Sequence, residues 1–449
     1  MIGQDRAEQL ARMLQDYSKA DETQITITSE QQNFTRFNQN WIHQNLSRNN
    51  HQVNIRVSDK GRIGAVSVNT LDESELRAAL DKALHFASYV LVNPTLKPFP
   101  KPKAILEHDL VGSGLLKQTP RDRADTIGEI IAIAKSKHAQ SSGTYANIYE
   151  EMLISTSSGI MAYHAGNHAV LRTVITKNGT ISGYADQIVR DPAIIDPVRL
   201  ATDATWKASL FEKAIPLEPG NYDTVFEATA VADLLRFLGM IAFGAQAVQE
   251  GRSFMGNAIG KQVFAPSISI YDDAYHPLTL PRLFDSEGTP KQKVTIIENG
   301  VAKGVVYDNA TAEAEGKEST GHASAANMWG RGQYPGNMVV APGDSDRETM
   351  IKSIKKGLLV TRFHYTHCPE PMQVVATGTT RDGTFLIEDG EIVARVFNLR
   401  FTESMIRAFA NVAAISKETR LTRDWWSTFY MVLPTMMIND FTYTGASTF

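Results

Sequence analysis

Histidine, cysteine and clustered acids are where chemistry would start in this chain, and their spacing limits what each group can do. The sequence holds 11 histidines and one cysteine, Cys368. His164 and His168 have a spacing that converges on one metal ion on a helix but not in a strand. They fall in a strand-rich stretch around Gly166, so they read as surface histidines. His364, His367 and Cys368 offer imidazole and thiolate, both zinc ligands. In a strand His364 and Cys368 share a face and His367 points away; with no clear carboxylate partner nearby, the group reads as a partly exposed loop. His322 closes Ser319-Thr320-Gly321-His322, where an imidazole would serve as general base or as a donor to a peptide. Ser319, Thr320, Gly321, His322 and Arg381 are therefore the candidate groove residues. Asp285 and Asp382 read as turn residues in surface ion pairs, with groove lining as the alternative. Gly251–Gly256 lacks the order of a phosphate loop. No catalytic residue and no metal ligand is assigned.

The elements that must position these groups come from periodicity and turn chemistry. Helices are expected over Asp5–Tyr17, from Asp72 to about Ser88 behind an Asp72/Glu75 capping box, and from Thr119-Pro120 to about Lys137. Strands are expected at Gln24–Thr28, Val53–Val57 and Ile63–Val68, with a strand or turn region over Phe34–Gln44. Tyr145–Gly183 reads as an antiparallel meander broken at Ser157-Ser158-Gly159, Ala165-Gly166-Asn167 and Lys177-Asn178-Gly179. A helix near Asp196–Phe211 ends the first half, and Pro216–Gly220 is the expected junction. Beyond it, Ala228–Val248 is apolar on nearly every face and reads as a helix buried in a large core; its Asp233 and Arg236 weigh against a membrane span. Val294–Ile297 and Val301–Tyr307 flank Glu298-Asn299-Gly300, a strong hairpin signal. Ile387-Glu388-Asp389-Gly390 repeats that chemistry. Helices follow at Asp346–Lys356 and Thr402–Ile415. The tail Trp425–Tyr443 is aromatic and apolar, suited either to the sheet or to an interface. The fold class is α+β: an N-terminal mixed α/β domain with antiparallel strands (1–215) and a C-terminal strand-rich domain around a buried helix (216–449).

At 449 residues, 43% hydrophobic and 21% charged, the composition is that of an ordinary soluble globular protein. The net charge of −4 gives no basic footprint for nucleic acid. One cysteine excludes a disulfide framework and a Cys-rich zinc site. The first residues, MIGQDRAEQLARML, form a charged amphipathic helix without a signal peptide's apolar core, so a cytoplasmic location is expected.

The segments DSEGTP (285–290), IIENG (296–300), KG (303–304), Asn309–Gly316 and STGH (319–322), in that order, resemble the TldD/PmbA family. The run from Arg56-Val57 through Asp59-Lys60-Gly61 to Thr70-Leu71-Asp72-Glu73 resembles its N-terminal domain. The resemblance implies paired cytoplasmic subunits forming a zinc peptidase, a family also labelled modulator of DNA gyrase. It further implies HExxxH on a helix, two histidines holding zinc and a glutamate as general base, with a downstream cysteine as a further ligand. The corresponding segment here, roughly Arg236–Ile241 (RFLGMI), has neither residue type, and no histidine belongs to HExxH or HExxxH. That departure matches the TldE/PmbA-like branch. The expectation is a non-catalytic subunit without a cofactor of its own. It would pair with a zinc-bearing TldD-type subunit, or with itself, around a cleft for unfolded or small peptides, with no nucleic acid and no membrane. The alternatives are a protein-binding module without a peptidase, and a hydrolase using His322 or the His364/Cys368 pair.

Overall fold

The computed structural model describes residues 1–93, 98–106, 113–280, 282–325, 332–424 and 429–446. Pro94 of the proline-rich loop and Trp425 and Trp426 of the tail lie outside the described residues. The fold is α+β, built on two sheets.

The first sheet holds β1 (Glu22–Asn38), β2 (Trp41–Asp59), β3 (Arg62–Val68), β4 (Gln140–Thr156), β5 (Met161–Lys177) and β6 (Ile181–Val189). Their order is β3-β2-β1-β4-β5-β6, antiparallel throughout. The reversal inside Phe34–Gln44 falls at Gln39 and Asn40, both at positive φ. Gly166 does not break the meander: β5 runs through it, opposite Glu150. Helices α1 (Gln4–Tyr17) and α2 (Glu73–Ser88) bury Leu10, Leu14, Leu76 and Leu80 against Ile25, Ile27, Val53 and Ile55. Asp72 caps α2 through Ser74 N and Glu75 N without a return bond from Glu75, whereas Thr119 and Asp122 cap each other reciprocally. The short α3 (Ser113–Leu116) precedes α4 (Pro120–Ser136), which with α5 (Pro197–Ser209) covers the β4–β6 end. Two glycines let helices rest on strands. A Cβ on Gly64 would lie 1.9 Å from Ala83 O, and one on Gly183 would lie 2.1 Å from Ala204 O.

The second sheet begins with β7 (Ala214–Ile215), β8 (Gly220–Phe226), β9 (Ile270–Asp272), β10 (Val294–Glu298), β11 (Val301–Ala302) and β12 (Met338–Val340). It continues with β13 (Lys356–Glu370), β14 (Val375–Glu388), β15 (Glu391–Val396), β16 (Leu399–Ser404), β17 (Val412–Thr422) and β18 (Met431–Ala446). The order is β11-β10-β9-β12-β18-β8-β13-β14-β15-β7, with β16 joined to β14 and β18 and β17 joined to β18. Both expected turns form: Asn299 and Gly300 have φ of 49° and 76°, Asp389 and Gly390 48° and 81°.

The apolar segment after β8 is buried, as its pattern demands, but it is two helices. α6 (Ala228–Ile241) buries every residue except Met240. The chain then pairs with Val306 (Val306 N to Phe243 O and Ala245 N to Val306 O, both 2.9 Å) before α7 (Ala245–Gln249). No described helix is long and apolar enough to cross a membrane. The remaining helices, α8 (Asn309–Ala314), α9 (Arg347–Ser353) and α10 (Met405–Ala410), are short. Three expected elements change. Val301–Tyr307 is a strand only at Val301–Ala302, because Val306 serves the α6–α7 break. The helix from Asp346 stops at Ser353, where the chain turns into β13. Thr402–Ile415 is strand, one short helix, then strand, since β16 and β17 both find partners on β18. The tail's Met431 and Met436 lie in the intrachain core rather than on a surface.

Candidate functional site

The motif segments meet in one knot. Asp285, expected at the surface, is buried. Its Oδ1 accepts from Glu287 N and Thr289 N at 2.9 and 3.0 Å, and its Oδ2 from Ala323 N at 2.8 Å. Glu287 accepts from Asn309 Nδ2 at 2.6 Å, which ties in α8. Gln24 of β1 donates to Ser286 O at 2.7 Å, which ties the knot to the first sheet. Burial and the Glu287 charge push Asp285 up to about 7, against those three amides.

Beside the knot, β4 and β5 of the first sheet and loops of the second enclose a cavity of about 220 Å³. Its lining includes His164, His168, Lys291, His322, Phe429 and Tyr430. His164 and His168 are not surface residues: period-two alternation along β5 points both inward, at 7% and 4% exposure. His168 Nε2 is 2.6 Å from the Tyr430 hydroxyl, with the rings edge to face. Burial pushes His164 down to about 4 and His168 to about 3, with Arg282 adding to both and Arg423 to His168. Both rings are neutral at pH 7.

His322 is pinned rather than poised. Its Nε2 meets Asp272 Oδ1 at 2.8 Å and its Nδ1 meets Thr320 Oγ1 at 2.9 Å. Burial, then the Lys291 charge, lowers its pKa, so the ring is neutral. Against an ionised Asp272 the ring proton is assigned to Nε2, which donates to Asp272, and Nδ1 is left as an acceptor beside Thr320 Oγ1, whose single proton is shared with Tyr307 O at 3.1 Å. Both nitrogens are engaged, leaving none for a peptide. Asp272 accepts from Asn337 N at 2.6 Å through its other oxygen. Burial opposes its ionisation, but His322 and Lys291 outweigh it and hold the carboxyl below the usual range. Ser319 Oγ donates to Tyr307 O at 3.3 Å and accepts from Gly321 N at 3.2 Å. The Ser319–His322 loop is thus a closed hydrogen-bonded turn with His322 on the cavity wall.

Lys291 differs. It is half-buried in the cavity lining, and no described residue gives its ammonium a hydrogen bond or an ion pair. Burial lowers its pKa, although Asp272 and Asp285 attract its charge. Nothing in the sequence marks it beyond its place after Pro290, and Asp272, its neighbour in the cavity, shows only as an acid ending an apolar strand.

The other candidates lie elsewhere. Arg381 sits on β14 with 47% of its side chain exposed, 4.0 Å from Asp382, and does not line the cavity. Asp382 is buried, contrary to expectation, against the guanidinium of Arg362 (Nε to Oδ2, 2.7 Å), and accepts from Ser182 Oγ at 2.5 Å. The His364–Cys368 stretch lies in β13, where Tyr365 at φ 54° bulges the strand and shifts its register. Simple alternation therefore fails there. Among the described residues no group of three or more His, Cys, Asp and Glu side chains is disposed to hold a metal ion.

The segment Arg236–Ile241, where zinc ligands were to be sought, lies in α6. Arg236 Nη1 is 3.6 Å from Asp424 Oδ1, and Nη2 donates to Thr366 Oγ1 at 2.9 Å. Thr366 Oγ1 lies 3.4 Å from Asp233 Oδ1. Burial and the Asp424 charge raise Asp233 to about 7, against Arg236 and Arg362. A fixed guanidinium and no imidazole do not fit zinc.

Residues 219–445 match the family model described as the PmbA/TldA metallopeptidase C-terminal domain. The chain is 30% identical over 278 residues to an uncharacterized protein of Methanocaldococcus jannaschii, a match spanning 61% of this chain and 63% of that one. It is 23% identical over 384 residues to the metalloprotease PmbA of Escherichia coli O157:H7, covering 82% of this chain and 81% of that protein. The fold is that of TldE from Thermococcus kodakarensis, with a TM-score of 0.88 at 23% identity over 98% of this chain and 100% of the other. With the family model covering half of its length, the chain belongs to the PmbA/TldD metallopeptidase family.

Proposed function

We propose that this chain is the TldE-like, non-catalytic subunit of a two-subunit cytoplasmic metalloprotease. Its zinc-bearing TldD-type partner performs the hydrolysis, and the pair encloses a cleft for unfolded or small peptides. The observation that carries the reading is Arg236. Where the family resemblance puts zinc ligands, this chain sets a guanidinium, ion-paired to Asp424 inside the core. A cation fixed by protein carboxylates repels a second cation and supplies no metal-bound water. The self-satisfied state of His322 counts against a hydrolase built on that ring. The division near residues 215–216 belongs to the same reading, with β7 (Ala214–Ile215) already on the second sheet: the first part supplies β4 and β5 as one wall of this chain's share of the cleft, and the second supplies the motif knot as the other.

Co-expression with a TldD-type homologue bearing HExxxH is the test. The expected outcome is a stable complex that cleaves an unfolded peptide and loses activity on chelation. The chain alone is expected to hold no stoichiometric zinc and to cleave nothing. One equivalent of tightly held metal in the isolated chain, with chelator-sensitive cleavage, would overturn the assignment.

A further inference from the structure

The charges lining the cavity are nearly all spent inside the protein. Glu30 pairs with Arg48 at 3.0 Å and Glu150 with Arg282 at 3.8 Å. Asp285 is held by three amides. Arg190 donates to Pro277 O at 2.8 Å, and the Arg423 guanidinium lies over the Tyr430 ring at 5.7 Å, with its Nε unbonded among the described residues. The Lys291 ammonium has no such partner: no described carboxylate comes within ion-pair reach, although it is half-buried and its burial lowers its affinity for a proton. A desolvated cation facing a cavity complements an anion.

Size and walls narrow the anion. A volume of about 220 Å³ lies below the ~300–1,000 Å³ of drug-sized pockets, which suits one or two residues. Ile148, Met152, Leu280, Phe284 and Phe429 supply apolar lining. A phosphate's usual cradle is a fork of guanidinium or a row of amides, but the lining guanidiniums are turned to other partners, Arg190 to Pro277 O, Arg282 to Glu150 and Arg423 to the Tyr430 ring, and one flexible ammonium matches a single charge. A single negative charge beside an apolar side chain is the end of a peptide. We infer that Lys291 anchors the α-carboxylate of a peptide whose last residue is apolar. This inference rests on the peptide-admitting cleft proposed above and specifies which end of the peptide enters.

The test uses a fluorescein-labelled heptapeptide ending in leucine, made as the free acid and as the C-terminal amide. Anisotropy is read with the intact chain and with Lys291→Met and Lys291→Arg. The free acid is expected to bind at least tenfold more tightly than the amide. Lys291→Arg should keep that preference and Lys291→Met should abolish it, both with unaltered far-UV circular dichroism and thermal midpoint. Equal affinity of acid and amide for the unmodified chain, binding of neither, or a preference that survives in Lys291→Met would each overturn the inference. So would inorganic phosphate displacing the peptide at concentrations where acetate does not, which would assign the site to phosphate. These readings do not depend on complex formation. A failed acid preference with an intact heterodimer rejects the anchor alone, and a retained preference without a heterodimer rejects the subunit assignment alone.

Discussion

Two buried polar clusters of the second sheet and its helices solve the same electrostatic problem differently. The Asp272–His322 pair is neutral imidazole against carboxylate, with Thr320 and Asn337 taking the remaining bonds. The Asp233–Arg236–Asp424 group sets two carboxyls around one guanidinium, with Arg236 Nε left without a hydrogen bond among the described residues. Their responses to acid therefore have opposite signs. Asp272 and His322 both have depressed pKa values in the fold, so they take up protons less readily than in the unfolded chain. Their contribution is present above the unfolded values and is lost as pH falls. Asp233 is raised to about 7, so the folded state favours its neutral form. Its contribution is present below the unfolded carboxylate value and is lost as pH rises through 7. A buried carboxylate is thus comfortable where hydrogen bonds are complete and costly where charges only balance.

Removing the central cation should break this comparison most severely. Arg236→Met leaves two buried acids facing each other and is expected to cost about 3–5 kcal/mol in urea unfolding at pH 7. Part of that loss should return at pH 5, as Asp233 is protonated. An equal loss at both pH values would show that charge is not what Arg236 supplies. His322→Ala comes next: it strips Asp272 of one bond and opens a cavity, for about 2–3 kcal/mol. The same variant should flatten the decline in stability between pH 7 and 5, and an unchanged slope would remove the imidazole from the account. The smallest effect has the opposite sign. Asp233→Asn copies the protonated acid and should stabilise the protein at pH 8 by on the order of 1–2 kcal/mol while changing little at pH 5. Destabilisation at pH 8 would mean that the carboxylate's attraction to Arg236 outweighs its burial.

The first sheet was largely legible in the sequence, because apart from the β1–β4 pair its neighbours in space are neighbours along the chain. Lys60-Gly61 and Asn178-Gly179 announce their hairpins locally, whereas the turn at Gln39-Asn40 lay inside a stretch that reads only as strand or turn. Gly166 misled, since a glycine inside a strand reads as a break until the register opposite Glu150 is known. The second sheet was legible at its Asn-Gly and Asp-Gly turns and in short strands such as Val294–Ile297, but not in its pairing. β12, β8, β16 and β17 all pair with β18, and no local pattern encodes a partner so far along the chain. The site divides in the same way. The ordered motifs around Asp285 and Ser319–His322 marked the right neighbourhood. Asp272, Lys291, His168 and Tyr430 come from separate elements, and Arg381 was placed there only by its own turn. His164 and His168 looked solvent-facing because their burial is imposed by loops of the second part, which β5 alone cannot foretell.

The central position of β18 also orders events in time. Met436 lies opposite Phe226, so β8 must await a strand made about 200 residues later. At roughly 5–20 residues per second, the ribosome imposes a wait on the order of tens of seconds. The first sheet is complete by Val189 and can condense while synthesis continues. Through that interval the apolar α6 has no finished sheet to cover it, which makes the nascent second part a candidate client for holding chaperones until β18 emerges.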